Sequence, residues 1–334
     1  MKRMMKFMVK QIGCIKAICG ILGCLLILNG CSNNSREEKQ IILKDEKTEE
    51  FETEINNNLP EADTETIFEY ALSEPKITEA DWSGYFDGFN GAAVIYNPSN
   101  MEYTIFNSEA ALTKRSPCST FKIISSLIAL ESGIIQPGNS IRAWSGEAFW
   151  NEDWNHDIDF DEAFRKSCVW YFRQVIDDIG PDIMQKELEK LQYGNCDISD
   201  WEGRMNTNNN NRALTGFWIE SSLLISPKEQ TEVMERIFGM DSVYSKDTQN
   251  KLKQVMSIAE QYDTNIPLYG KTGMGMAYGV VVDAWFTGFA EGTQGNVYFC
   301  VYLGRTEDKE VSSTAAKEIA VQLVSEYCNY LTEN

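Results

Sequence analysis

From Phe121 to Leu130 the chain reads FKIISSLIAL, apolar on nearly every side if wound as a helix. Ser119 ahead of it suits a helix start, and Gly133 behind it suits a stop. A helix of that kind has to be buried, and burial constrains Lys122 most. Spacing i, i+3 puts Lys122 on the same face as Ser119, one turn away. A lysine taken out of water gives up its proton readily, so the pair reads as a nucleophile beside a base. The first backbone N–H groups of the helix are free to meet a developing oxyanion. The plainer alternative is an ordinary serine and a lysine whose stem reaches the surface, and S-x-x-K alone does not separate the two.

The rest of the chain supplies the frame for that helix. Ala92–Tyr96 and Tyr103–Phe106 are β-type runs around the turn Asn97-Pro98-Ser99-Asn100, which predicts a hairpin. After loops over 134–162, a helix is expected from Asp161 to Ile179, closed by Gly180-Pro181, with Ser167-Cys168-Val169 inside it. Asp182–Leu191 reads as the next helix, Asn208–Asn211 as a loop insertion, and 228–260 as two helices broken at Gly239. Ile266–Gly270 approaches Lys271-Thr272-Gly273 as a strand. Val280–Ala290 and Val297–Leu303 predict an antiparallel pair, and Ser312–Leu331 a closing amphipathic helix. Strands at both ends with helices between them predict an α/β fold of the α+β kind: an antiparallel sheet flanked by helices, with an inserted all-helical subdomain.

Ahead of this domain, residues 1–31 begin with Lys2, Arg3, Lys6 and Lys10, continue through the mostly apolar Ile12–Leu28, and end in Leu28-Asn29-Gly30-Cys31. They resemble a bacterial lipoprotein signal, whose cysteine carries the lipid anchor; a plain signal anchor is the alternative. The resemblance implies an exported lipoprotein held through Cys31 on the outer face of a bacterial cell membrane. Residues 32–81 read as a charged tether with a short helix over 66–80, and 82–334 as the folded domain. The chain carries a net charge of −20, and setting aside the five basic residues before Cys31 leaves −25 on the remainder. That argues against nucleic acid and against an anionic membrane surface as partners. Of the nine cysteines, four lie in the leader. Cys118, Cys168, Cys196, Cys300 and Cys328 are scattered and odd in number, and read as free and buried. With His156 as the single histidine, in a polar loop, neither a zinc site nor a Ser-His-Asp triad is expected.

S-T-F-K at 119–122, S-x-V at 167–169, Y-G-N at 193–195, F-W-I-E at 217–220 and K-T-G at 271–273 occur in that order. Together they resemble a class D β-lactamase, of the oxacillinase family of penicillin-recognising serine enzymes, over about residues 82–331. S-x-x-K and K-T-G are shared with the sister lactamases and penicillin-binding proteins, whereas S-x-V stands where those have S-D-N. The resemblance implies a β-lactamase/transpeptidase-like fold, β-lactam substrates and antibiotic resistance. It implies that Ser119 attacks the lactam carbonyl, and that Lys122 is N-carboxylated by CO2 and acts as general base. Phe121, Val169 and Trp218 would form the apolar pocket that carboxylation needs, the Trp218 indole holding the added carboxylate; simple core packing is the alternative for Trp218. Ser167 would pass a proton to the leaving nitrogen. Lys271 and Thr272 would hold the substrate carboxylate, and Gly273 would keep the strand edge bare. The N–H groups of Ser119 and Met274 would make the oxyanion hole. Tyr193, Gly194 and Asn195 are structural in this reading, Asn195 bracing its loop. No cofactor is implied beyond CO2 or bicarbonate, and either a monomer or a dimer.

Two departures stand out. Met274 follows K-T-G where the family often has tryptophan. Asp308–Lys317 offers no arginine for the substrate carboxylate, leaving Arg305 and Lys317 as loose candidates. Related sensor domains and penicillin-binding proteins also acylate at S-x-x-K, and the sensors stay acylated. They resemble each other in having asparagine at the third place of S-x-V, where an amide favours the plain amine; Val169 favours the neutral lysine and its carboxylated form. Hydrolysis is therefore the leading reading, and a sensor or penicillin-binding protein that does not turn over is the alternative.

Overall fold

Strands at the two ends of the domain meet in one sheet. The computed structural model describes residues 74–203, 211–259, 261–262, 264 and 266–333. The leader, Cys31 and the tether up to residue 73 lie outside the described residues. Pro75–Asn334 form one compact unit. Its strands are β1 (Lys76–Glu79), β2 (Asn90–Asn97), β3 (Glu102–Phe106), β4 (Leu268–Ala277), β5 (Val280–Gly292) and β6 (Gly295–Gly304). They lie in the order β1-β3-β2-β6-β5-β4. β2 and β3 form the expected hairpin, and β5 and β6 the expected antiparallel pair.

Two expectations about the sheet change. The sheet is mixed rather than antiparallel throughout, because β1 runs parallel to β3. And β1 falls within 66–80, expected to be a short helix: four residues too few to show a period are drawn into the sheet by the open edge of β3.

One face of the sheet packs against the closing helix, α9 (Ser313–Glu333), where Ala316, Ala320, Leu323 and Val324 meet a core that includes Phe286, Phe299 and Val301. In chain order the preceding helices are α1 (Ser83–Phe86), α2 (Ser108–Leu112), α3 (Lys122–Glu131), α4 (Phe160–Arg165), α5 (Val169–Ile179), α6 (Pro181–Leu191), α7 (Pro227–Phe238) and α8 (Lys246–Met256). The block from α3 to α8 shares a second core, into which Phe289 and Tyr298 reach from the sheet. Phe238 of α7 stacks on Phe289 with ring centroids 4.3 Å apart.

Local signals set several boundaries. Ser226 and Glu229 close a capping box at the start of α7, and Pro181 opens α6 after Gly180. α3, by contrast, is entered through a tight 3-10 turn over Cys118–Phe121, with no side-chain cap at its start. Ser119 is thus inside the turn and not its cap. The single helix expected from Asp161 to Ile179 is two helices. Between them Ser167 adopts a left-handed backbone (φ +55°) and Cys168 is extended.

Candidate active site

A cleft of about 320 Å³ opens between the helical block and the edge of β4, and Ser119, Ser167, Val169, Thr272, Gly273 and Met274 line it. Each arrives on a different local device. The 3-10 turn carries Ser119, and the left-handed break between α4 and α5 carries Ser167. Val169 opens α5. The K-T-G triplet lies on β4, the outermost strand of the sheet beyond β5.

Lys122 stands behind Ser119, only 1% exposed. Its Nζ donates to Ser119 Oγ at 2.8 Å and lies 5.5 Å from the centre of the Phe172 ring. Burial pushes the ammonium down to about 8, against weaker opposing effects of the Cys168 and Cys118 thiols. The same burial pushes those thiols up, Cys118 to about 12 and Cys168 to about 11. Both are free, so no bridge joins them.

Lys271 is the second buried amine. Its Nζ donates to Ser167 Oγ at 3.1 Å and to the Thr272 carbonyl at 3.0 Å, with Thr272 Oγ1 at 3.3 Å. Burial first, then the charge of Lys122, holds it well below the usual lysine range. The two lysines therefore each end on a cleft serine, one beneath Ser119 and one beneath Ser167. An amine that sheds its proton and a hydroxyl within hydrogen-bonding reach of it have the chemistry of a base and a nucleophile, and the second pair has that of a proton relay.

Trp218 lies beneath the cleft rather than on its wall. Its ring stacks on Phe121 at 6.1 Å and meets Phe217 edge-on at 5.2 Å. Its backbone carbonyl accepts from Cys118 N–H at 2.9 Å, just before the nucleophile. Tyr193 packs edge-on against Phe121 at 5.5 Å. Gly194 has φ +56°, and a Cβ there would fall 2.0 Å from the Leu224 carbonyl oxygen, so only glycine fits. Asn195 donates to Ser222 O at 2.8 Å and accepts from Leu224 N–H at 2.9 Å, the loop brace expected of it. At Gly273 the space a Cβ would take is filled from below, with Thr120 Cγ2 at 2.8 Å and Pro117 O at 3.0 Å. The missing side chain thus lets β4 close onto the nucleophile turn, beyond leaving the edge bare.

Several cleft residues carry no sequence signal of their own. Trp150, Asn151, Trp154, Lys166, Ile219, Glu220, Met276 and Ser313 also line it. Glu220 is nevertheless the last letter of F-W-I-E, and Met276 lies two residues beyond Met274. Ser313 is the residue that Asp308–Lys317 brings to the cleft. Of the loose candidates for the carboxylate, Arg305 pairs with Glu310 at 3.1 Å and Lys317 donates to Gln261 at 2.7 Å. Neither is among the lining residues. Among the described residues no cluster of three or more His, Cys, Asp or Glu is placed to hold a metal.

The fold and the two lysine–serine pairs describe a serine acyl-transfer site, and comparison with known proteins agrees. The family model of the penicillin binding protein transpeptidase domain matches residues 91–325, and the chain belongs to that family. It is 30% identical over 247 residues to the probable beta-lactamase YbxI of Bacillus subtilis, covering 72% of this chain and 82% of that one. It is also 30% identical over 246 residues to the regulatory protein BlaR1 of Bacillus licheniformis; the match takes in 73% of this chain but only 38% of that protein. The crystal structure of a class D beta-lactamase from Bacillus subtilis superposes with a TM-score of 0.61 at 28% identity, over 74% of this chain and 95% of that one. Within the family, the chain's resemblance is to class D β-lactamases and to a sensor domain of the same fold.

Proposed function

We propose that the protein hydrolyses β-lactams through an acyl-enzyme on Ser119, with Lys122 carboxylated on its Nζ as general base, and so confers β-lactam resistance. One observation carries this reading: Lys122 is fully enclosed, pushed down to about 8, and 2.8 Å from the Ser119 hydroxyl. Only a neutral amine takes up CO2; the Phe172 ring lies 5.5 Å from the Nζ, and Phe121, Val169 and Trp218 would complete the apolar wall that favours the neutral form. The added carboxylate would supply the general base for acylation and deacylation. Phe121 and Trp218 exclude water from it, and the Trp218 indole is the donor suited to orient it. Ser119 Oγ attacks the lactam carbonyl. The N–H groups of Ser119 and Met274 meet the oxyanion, and Ser167, hydrogen-bonded to Lys271, passes a proton to the leaving nitrogen. Lys271 and Thr272 draw the substrate carboxylate.

The test is a chromogenic β-lactam in large excess over the purified protein, with and without bicarbonate. Many turnovers, increased by bicarbonate and absent in Ser119→Ala, are expected. One equivalent released and then silence would make this a receptor that stays acylated, in keeping with its likeness to the C-terminal domain of the Bacillus licheniformis BlaR penicillin-receptor. Val169 favours turnover over that second reading, since an apolar side chain offers the lysine no hydrogen bond to keep it an ammonium. We also propose that residues 1–31 direct export and that Cys31 carries a lipid. Cys31→Ala should then free the processed protein from membranes; retention on them would refute the anchor.

A further inference from the structure

The last residue of F-W-I-E has no part in that chemistry, yet Glu220 lines the cleft and has an uncommon backbone for a glutamate, φ +50°. Hydrogen bonds hold it there. Ser116 Oγ accepts from Glu220 N–H at 2.8 Å and donates to the Trp218 carbonyl at 2.9 Å. The Cys118 N–H donates to the same carbonyl at 2.9 Å. At its other end the Glu220 carboxylate accepts from the backbone N–H of Met276. That amide lies where the register of β4 against β5 shifts, between Gly275 and Met276. The turn over 218–220 therefore ties the residue just before Ser119 to the residue two beyond Met274.

The two amides proposed for the oxyanion hole come from separate elements, Ser119 from the 3-10 turn and Met274 from a strand with no further strand beyond it. Their separation has to be held to a fraction of an ångström to favour the transition state. Packing of β4 on Thr120 and Pro117 fixes its height above the turn. A register shift leaves the strand free to slide or twist, and that freedom is what a charged acceptor on the Met276 N–H removes. We propose that Glu220 is a positioning residue, which sets the spacing of the Ser119 and Met274 amides by clamping the bulge of β4 to the nucleophile turn. The proposal rests on acylation of Ser119 by β-lactams, not on turnover.

Acylation rates with a fluorescent penicillin, and the affinity of a phenylboronic acid that forms a tetrahedral adduct on Ser119, test it in the full protein. Glu220→Ala should slow acylation ~10- to 100-fold and weaken the boronate in parallel, short of the loss expected when an oxyanion donor is removed outright. Glu220→Gln keeps a carbonyl oxygen for the Met276 N–H and should recover most of both. Ser116→Ala removes the acceptor of the Glu220 N–H, loosening the turn that carries the clamp while leaving the carboxylate, and should reproduce a smaller loss of both in parallel; wild-type values there would overturn the proposal if Glu220→Ala does not fold. Wild-type acylation and boronate binding in Glu220→Ala would overturn the proposal. So would a Glu220→Gln variant as slow as Glu220→Ala, which would point to charge instead of position. A wild-type protein that acylates but does not turn over would refute the hydrolase reading and leave this test intact.

Discussion

Lys122 shows how burial becomes chemistry at the scale of a single residue. The fold encloses an amine and leaves it one partner of consequence, the Ser119 hydroxyl. With the ammonium pushed down to about 8, about a tenth of the amine is neutral at pH 7, and each further unit of acidity cuts that share about tenfold. Carboxylation consumes the neutral amine and releases a proton to solvent, so below pH 8 the dissolved CO2 needed for half-maximal rate should rise about a hundredfold per pH unit, about tenfold from protonation of the amine and about tenfold from the released proton. Steady-state rates against dissolved CO2 at pH 6 and pH 7 measure this directly. A half-saturating concentration that does not move with pH would mean that the lysine is not carboxylated through its free amine.

The elements that bring these residues together were read from the chain unevenly. The hairpin of β2 and β3, the pair of β5 and β6, and α9 were legible because their hydrophobic periods run long enough to be unambiguous. The break between α4 and α5 was not, because it is made by a serine with a left-handed backbone, which no glycine or proline announces. β1 was missed because its partner is set by the sheet and not by its own four residues. At the site, the motif spacing marked Ser119, Lys122, Ser167 and K-T-G and took in Glu220 without a role, but the cleft's Trp150 and Ser313 are placed by tertiary contacts that no local pattern encodes. Y-G-N lies between: its glycine was visible, its reason was not. The loop after α6 presses Gly194 onto Leu224 with φ +56°. Gly194→Ala should therefore cost at least about 2 kcal/mol through overlap and backbone strain together, seen as a fall of several degrees in Tm. An unchanged Tm would show that the loop has room to withdraw, and that Asn195 rather than Gly194 holds it.

Over the whole molecule, the two buried lysines are a cost to stability that the site imposes on the fold. Lys122 has a folded value of about 8 against an ordinary 10.5, so between those limits the folded chain holds fewer protons than the unfolded one. Stability must rise with pH across that window. Lys271, shifted in the same direction, adds to the rise. The buried acids work the other way. Cys118, Cys168 and Tyr171 are raised to about 12, 11 and 12 from ordinary values of 9, 9 and 10, so their contribution is intact below pH 9 and is lost above it. In CO2-free buffer Tm should therefore climb from pH 7, peak between about 9 and 9.5, and then fall. Lys122→Met removes one buried amine while keeping its volume. It should stabilise the protein at pH 7 by on the order of 3 kcal/mol, the gain shrinking above pH 8 and vanishing near 10.5. The catalytic pair would then be a case in which the residue that makes the reaction possible weakens the structure that holds it. A less stable Lys122→Met at pH 7 would reverse that conclusion, making the hydrogen bond to Ser119 worth more than the desolvation of the charge.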